Sequence, residues 1–374
     1  MVERAGSGVL TAELLGGVRD RAAGYDRDNA FFAEDLAALQ AAGYLRSRPL
    51  AETVREHRLL AAHAPATALG TAMHLVVVGI ARVLAERGDD SLAWIVEEAE
   101  AGEVFAFGNS EAANDRVMFD SVTTAERQDD GSYRFTGTKI FTSMTPAWTR
   151  LALFGKDLAH PDGPRLVHGV LRREDGGWSS VGDWDSLGMR ATQSFSTRLD
   201  GAPVAAARIT RVLPVGPSAD PYIFGLFANF LLLVSSVYAG IADRALELAV
   251  ARVRERRSLV AGTAYSEVPD IRWQLADAAI ALDSLRPQLE GLAADVDGRV
   301  DHGAAWFRYL VGAKTRAVAV AREVVEAALR STGGASFAND AELSRLYRDV
   351  LAGVFQPSDP ESAHATVAAN LLDR

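Results

Sequence analysis

The stretch GSYRFTGTKIFTS, residues 131–143, is rich in β-branched and aromatic residues and enters from an Asp130-Gly131 pair. That pair separates VTTAERQ from YRFTG, and Asp-Gly between two such runs is the sequence mark of a β-hairpin. The neighbouring runs have the same character: VFAFGNSE, RLALFGKD, RLVHGVLRRED and FSTRLDGAPV are short and punctuated by Gly and Asp. Several short strands at close spacing predict a small antiparallel barrel or sandwich over 104–212.

On both sides the pattern turns helical. Upstream, DNAFFAEDLAALQAAGYL has apolar residues at helical spacing, an Asp28-Asn29 cap and Gly43 as a stop. ATALGTAMHLVVVGIARVLAERG, ending at Gly88, and DSLAWIVEEAEAGE read as two further helices. Downstream, helices are expected over 222–257, 264–297 and 302–332, with a shorter one after them, which suggests a bundle. The predicted class is therefore α+β: helices over 1–103, a middle β domain over 104–212 and a helical bundle over 213–374. The Pro/Gly cluster PVGPSADP, 214–221, is the natural linker.

A chain of 374 residues is long for one core and suggests two or three domains or subdomains. Its net charge of −10 argues against a nucleic-acid partner, which would call for a basic face. The absence of cysteine excludes disulfides, thiolate metal sites and a cysteine nucleophile. The seven histidines form no ligand spacing, so no metal is expected. The charged start, MVERAGSGVLTAELL, lacks an apolar secretory core, and a cytoplasmic location is expected. PYIFGLFANFLLLVSSVYAGIA, 221–242, carries no charge and is nearly long enough to span a bilayer. Amphipathic, charged segments flank it on both sides, which favours a helix buried in a large core and no membrane partner.

Five motifs name a family. GSYRFTGTKIFTS (131–143), WDSLGMRATQSFSTRLDGAPV (184–204), ERRS (255–258), RSTGGASF (330–337) and RLYRDV (345–350) occur in this order. Together they resemble the acyl-CoA dehydrogenase superfamily over nearly the whole chain. The resemblance implies an N-terminal helical domain, a middle antiparallel β-barrel domain and a C-terminal four-helix bundle. It further implies a flavin, FAD or FMN, between the β domain and the bundle, and a homodimer or homotetramer.

The same resemblance assigns roles. An isoalloxazine ring needs a flat apolar wall and partners at its polar edge. The residues matching that strand are Phe141, Thr142 and Ser143. Read instead as a plain strand, Phe141 would lie in the core and Ser143 at the surface. Arg256 matches an arginine that reaches a cofactor pyrophosphate across the dimer interface, work suited to a guanidinium; with Arg252, Arg254 and Arg257 it also reads as a solvated helix face. Gly333-Gly334 lets backbone approach a cofactor, or caps a helix. FGNSEAAND, 107–115, stands at the family's flavin- and substrate-contacting loop, keeping Glu111 and Asp115 but lacking its Pro and Gly.

The family's catalytic glutamate is missing. The place shortly after Arg348-Asp349 falls at Pro357, and the alternative place in the first bundle helix falls near Val234. An acyl-CoA dehydrogenase acting on a thioester would need a relocated base, Glu361 or Asp359. A second branch, the two-component flavin monooxygenases, takes reduced flavin from a partner reductase and transfers one oxygen atom from dioxygen. It needs a dry pocket and hydrogen-bond donors, not an α-proton base. For that branch the resemblance assigns His74 (after Met73) and Ser143 to hold the flavin-bound oxygen, and Gln356 to the substrate side. Gln can donate a hydrogen bond but cannot shuttle a proton. His74 reads equally as a satisfied core residue. The expected function is thus a flavin-dependent oxidoreductase, favoured as a monooxygenase. The rivals are a dehydrogenase and a non-catalytic binding subunit.

Overall fold

The computed structural model describes residues 8–114 and 118–373. Five helices come first: α1 (Ala12–Asp28), α2 (Ala33–Ala41), α3 (Leu50–Ala61), α4 (Pro65–Ala85) and α5 (Ala93–Glu100). Asn29 does not open the second helix, as the sequence suggested. It closes α1 in the left-handed region at φ 49°, whereas an N-cap needs extended backbone. Gly43, at φ 78°, ends the α2 segment as expected.

Eight strands follow: β1 (Phe105–Gly108), β2 (Thr124–Arg127), β3 (Tyr133–Thr142), β4 (Arg150–Asp157), β5 (Arg165–Arg172), β6 (Trp178–Val181), β7 (Phe195–Val204) and β8 (Ile209–Pro214). The Asp130-Gly131 hairpin is real, with Thr124 opposite Thr136 and Arg127 opposite Tyr133. The pairing runs β6-β7-β3-β2-β4-β5-β8, with β1 alongside β4. That path has two ends, and the strands form one mostly antiparallel sheet with parallel β1–β4 and β2–β4 pairs. The terminal strand β6 has four residues, and Ser179, Ser180 and Val181 on it stay exposed.

The remaining elements are helical: α6 (Pro221–Glu255), α7 (Pro269–Asp283), α8 (Leu285–Asp297), α9 (Ala305–Thr332), α10 (Glu342–Val350) and α11 (Pro360–Leu372). The single helix expected over 264–297 is broken at Ser284. Pro287 explains the break: it offers no N–H to the Asp283 carbonyl, and its ring would collide with that carbonyl. The apolar run 221–242 lies in α6, and 83% of that helix's most apolar window is covered by the rest of the chain. The helix α4 is equally apolar and equally covered.

Two hydrophobic cores result. The larger joins the N-terminal helices to the C-terminal ones, through Val76 and Ile80 of α4, Leu232 and Val237 of α6, and Ala317 and Val324 of α9. The smaller lies within the sheet around Phe135, Trp148, Leu151 and Val167. The chain thus leaves the helical core at β1 and returns to it at α6.

Candidate functional site

The end of β3 departs from a plain strand. Along it Tyr133, Phe135 and Lys139 point inward, and the next inward position should be Phe141. A bulge between Lys139 and Thr142 interrupts the ladder to β7, and Phe141 takes a left-handed φ of 57°. The bulge reverses the alternation. Phe141 is left 54% exposed while Thr142 and Ser143 are buried. The plain-strand reading is therefore corrected: an aromatic ring is held out at the surface, with the Trp184 ring edge-on at 6.2 Å. A left-handed conformation in a bulky residue is costly and marks functional sites more often than ordinary strands.

Ser143 heads a chain of hydroxyls. Its Oγ lies 2.8 Å from Ser194 Oγ, which lies 2.7 Å from Thr192 Oγ1. Thr192 donates to the Met189 carbonyl at 2.9 Å. Thr142 turns the other way and accepts from Thr197 at 3.0 Å, inside the sheet. The segment 184–194 is fixed from two sides. Asn29 donates to Trp184 O, and Gln193 donates to Asn29 O. Gly188 lies flat on the next motif, where a Cβ would come within 2.3 Å of Arg348 O. This approach lets the Met189 N–H donate to Asp349 at 2.5 Å. Burial raises the Asp349 carboxyl to about 6, opposed by that N–H. Arg348 meanwhile ion-pairs with Asp26.

Glu111 and Lys139 form a fully buried ion pair at 2.6 Å. Ser121 Oγ and the N–H groups of Val122 and Thr123 also donate to Glu111. Burial pushes the carboxyl up, but Lys139 and these donors overcome it and hold Glu111 well below its usual range. These bonds tie Glu111 to residues 121–123. Asp115 lies outside the described residues.

Arg256 and Gly333 come together at the far end of the bundle. Arg256 donates to Thr332 O at 2.7 Å, and a Cβ on Gly333 would meet its Nη1 at 2.4 Å. The guanidinium lies over the Tyr265 ring, so it is neither an isolated solvated charge nor a plain cap partner. Gly334 opens the short turn that follows, Gly334–Phe337.

The loop after α10 is tied down by a residue the sequence reading passed over. Lys314 of α9, 1% exposed, donates to the carbonyls of Gly353, Gln356 and Ser358 at 2.8, 2.6 and 2.8 Å. Burial lowers its ammonium to about 8, opposed by Asp359. The Gln356 side chain accepts from Tyr238 OH at 2.7 Å. Its spacing was the available signal: Lys314 stands four residues after Leu310 and three before Ala317, on the buried stripe of α9.

Three other expectations meet the structure as follows. His74 is fully buried; its Nε2 bonds Leu45 O at 2.8 Å and its Nδ1 accepts from Phe105 N at 3.0 Å. Burial lowers it to about 4, so it is a neutral ring with both nitrogens used by backbone. It braces β1 against the N-terminal helices and has no ring nitrogen left for a ligand. Asp359 caps α11 by accepting from Ser362 N at 2.8 Å, and Glu361 is exposed in the first turn of that helix. Val234 is buried in the apolar middle of α6. Neither family position for the base holds a carboxylate.

An eight-stranded sheet set between two helical regions that share one core, with a ring-bearing bulge facing a motif loop, defines an α+β fold of a known kind. The chain is similar to the acyl-CoA dehydrogenase superfamily. The family model "Acyl-CoA dehydrogenase, C-terminal domain" matches residues 232–355. The chain is 31% identical over 235 residues to the amino sugar nitrososynthase DnmZ of Streptomyces peucetius, covering 62% of this chain and 57% of that protein. It thus spans little more than half the length of that relative. It is 26% identical over 379 residues to the putative acyl-CoA dehydrogenase YdbM of Bacillus subtilis, covering 96% of both. Among solved structures, KijD3 in complex with FMN and dTDP-3-amino-2,3,6-trideoxy-4-keto-3-methyl-D-glucose matches at 25% identity and TM-score 0.83, over 97% of this chain and 92% of that one.

Proposed function

We propose that the chain is a flavin-dependent oxidoreductase that uses reduced flavin and dioxygen to oxygenate a small molecule. The observation that carries this reading is the loop after α10. Pro357 stands where the base is expected, and Lys314 ties the loop down through three backbone carbonyls. The carboxylates that follow Pro357 in sequence are Asp359, which caps α11, and Glu361, exposed in the first turn of that helix. Proton abstraction next to a thioester carbonyl has no base positioned by this loop among the described residues.

The residues present fit a flavin. Phe141, held out by the bulge, offers a flat wall with Trp184 beside it, and Ser143 offers a hydroxyl for the polar edge. Arg256, beside the bare Gly333 backbone at the far end of the bundle, suits a phosphate of a flavin held by a second copy of the chain. Reduced flavin, when bound, supplies two electrons, so that one atom of dioxygen enters the substrate and the other leaves as water. The protein's part is to orient substrate and exclude water. Gln356, held by Tyr238, lines that side as an amide that cannot take a proton. The nitrososynthase and KijD3 similarities favour an amino group on a small polar molecule, such as a nucleotide-linked amino sugar, as the group oxygenated. A separate reductase supplies the reduced flavin. A homodimer or homotetramer accounts for Trp273 and Ile280, one helical face of α7 at 75% and 71% exposure.

The alternative is desaturation of an acyl thioester with Glu361 or Asp359 as base, and one experiment separates the two. The protein is loaded anaerobically with chemically reduced FMN or FAD, and oxygen is admitted with amino-sugar nucleotides. Oxygenated product at the amine supports the proposal. Bleaching of bound oxidised flavin by acyl-CoA thioesters, abolished in Glu361→Gln, would replace it with the dehydrogenase. Absence of any flavin binding would leave only a non-catalytic role.

A further inference from the structure

The hydroxyl chain below Ser143 has a direction. Thr192 gives its only hydroxyl proton to the Met189 carbonyl, so toward Ser194 it can only accept. Ser194 must then be the donor in that bond, which spends its proton. Ser143 must in turn donate to Ser194. What remains free on Ser143 is oxygen lone pairs. Any ligand group that meets this hydroxyl has to bring its own hydrogen.

The far end of the chain is pinned. Met189 is held by its N–H to buried Asp349, and Gly188 lies against the Arg348–Asp349 backbone with no room for a side chain. Ser194 and Thr192 are themselves buried, so water does not compete for their bonds. The direction of the chain is therefore set by the fold.

Flavin chemistry gives this direction a consequence. In oxidised flavin the N5 atom is an acceptor; in reduced flavin it carries a hydrogen and donates. We infer that Ser194 and Thr192 are positioning residues that hold Ser143 as a hydrogen-bond acceptor and so make the site select reduced over oxidised flavin. The inference rests on the flavin reading above and deepens it: it states which redox form the apoprotein takes up. It also suits a protein that receives its flavin already reduced, because the oxidised product would be held less tightly and leave.

The test is the ratio of dissociation constants for oxidised and reduced FMN, measured anaerobically on the full chain by fluorescence and calorimetry, with FAD in parallel. Wild type should bind the reduced form more tightly. Ser194→Ala frees the Ser143 proton to turn outward, and Thr192→Val lets Ser194 give its proton back to Ser143. Both should shift the ratio toward oxidised flavin by about three- to tenfold, the size of one hydrogen bond. Thr192→Ser, which keeps the hydroxyl, should restore wild-type selectivity, and Ser143→Ala should be insensitive to a second change at 194. A loss of packing alone would weaken both redox forms together. Flavin binding with a ratio unmoved by both Ser194→Ala and Thr192→Val overturns the inference and leaves the flavin reading intact. If wild type binds neither form, both fall. Should Thr192→Val fail to fold, Ser194→Ala alone decides, since it removes one exchangeable hydroxyl and no carbon framework.

Discussion

Replacing Lys314 by Met tests whether the loop after α10 is held from below. The side chain is 1% exposed and makes three bonds, to Gly353 O, Gln356 O and Ser358 O. Hydrogen bonds from a charged donor contribute about 1.5–3 kcal/mol each, so the gross loss is about 4–9 kcal/mol. Against this, Met relieves the cost of keeping an ammonium out of water, which is several kcal/mol. The net local destabilisation is therefore about 2–4 kcal/mol. At about 1.4 kcal/mol per factor of ten, amides of the loop should exchange roughly 30- to 700-fold faster when exchange follows local opening. The assay is native-state hydrogen exchange by mass spectrometry at pH 7, on peptides covering 351–363 and, as a reference, 318–330 of α9. Faster exchange confined to the first set confirms the tether. Unchanged exchange there, or acceleration only within α9, would refute it and reduce Lys314 to a packing residue of the bundle.

Lys139→Met should be more damaging, because it strands the buried Glu111 carboxylate. We expect a loss of about 3–5 kcal/mol in chemical denaturation. Glu111 is depressed in the folded state, so its contribution is present above the unfolded carboxyl range and is lost as pH falls; the variant's acid-unfolding midpoint should move to higher pH, and an unmoved midpoint would contradict the pairing. Asp349 has the opposite sign. Its carboxyl is raised to about 6 in the fold, so the folded protein binds the extra proton and stability falls as pH rises from about 4 to about 6, by at most about 3 kcal/mol. Asp349→Asn keeps an acceptor for Met189 N–H and should flatten that slope; equal slopes in the two proteins would contradict the assignment. His74→Phe leaves the Phe105 N–H and the Leu45 carbonyl unpaired and should cost about 2–4 kcal/mol in thermal or urea unfolding. Reduced-flavin affinity of the folded variant should be retained, whereas its selective loss would return His74 to the ligand.

Much of the molecule was legible from local patterns because their causes are local. Asp130-Gly131 makes a hairpin wherever it stands between two strand-forming runs, and Gly43 stops a helix by its own backbone freedom. The order of helices, sheet and helices follows from periodicity, and the five motifs in order carried the resemblance to the superfamily. The emptiness of the two base positions, Pro357 and Val234, was also plain in the sequence, since neither side chain can carry a proton. Only three lysines occur in the chain, at 139, 156 and 314, and the helical phase of Lys314, passed over in the sequence reading, carried the signal of its burial.

What the tertiary structure decided are the properties that depend on which distant atoms meet. The outward turn of Phe141 comes from a bulge against β7, 50 and more residues away in sequence, so no local alternation could announce it. His74 lost its place in the site because Leu45 O and Phe105 N take both its nitrogens. Asp359 caps α11, a helix the loop's Pro-rich sequence hid, and Glu361 lies exposed in its first turn. The sense of the hydroxyl chain from Ser143 to Met189 needs three segments in contact, because a hydroxyl is donor or acceptor only by virtue of what its neighbours have already given away.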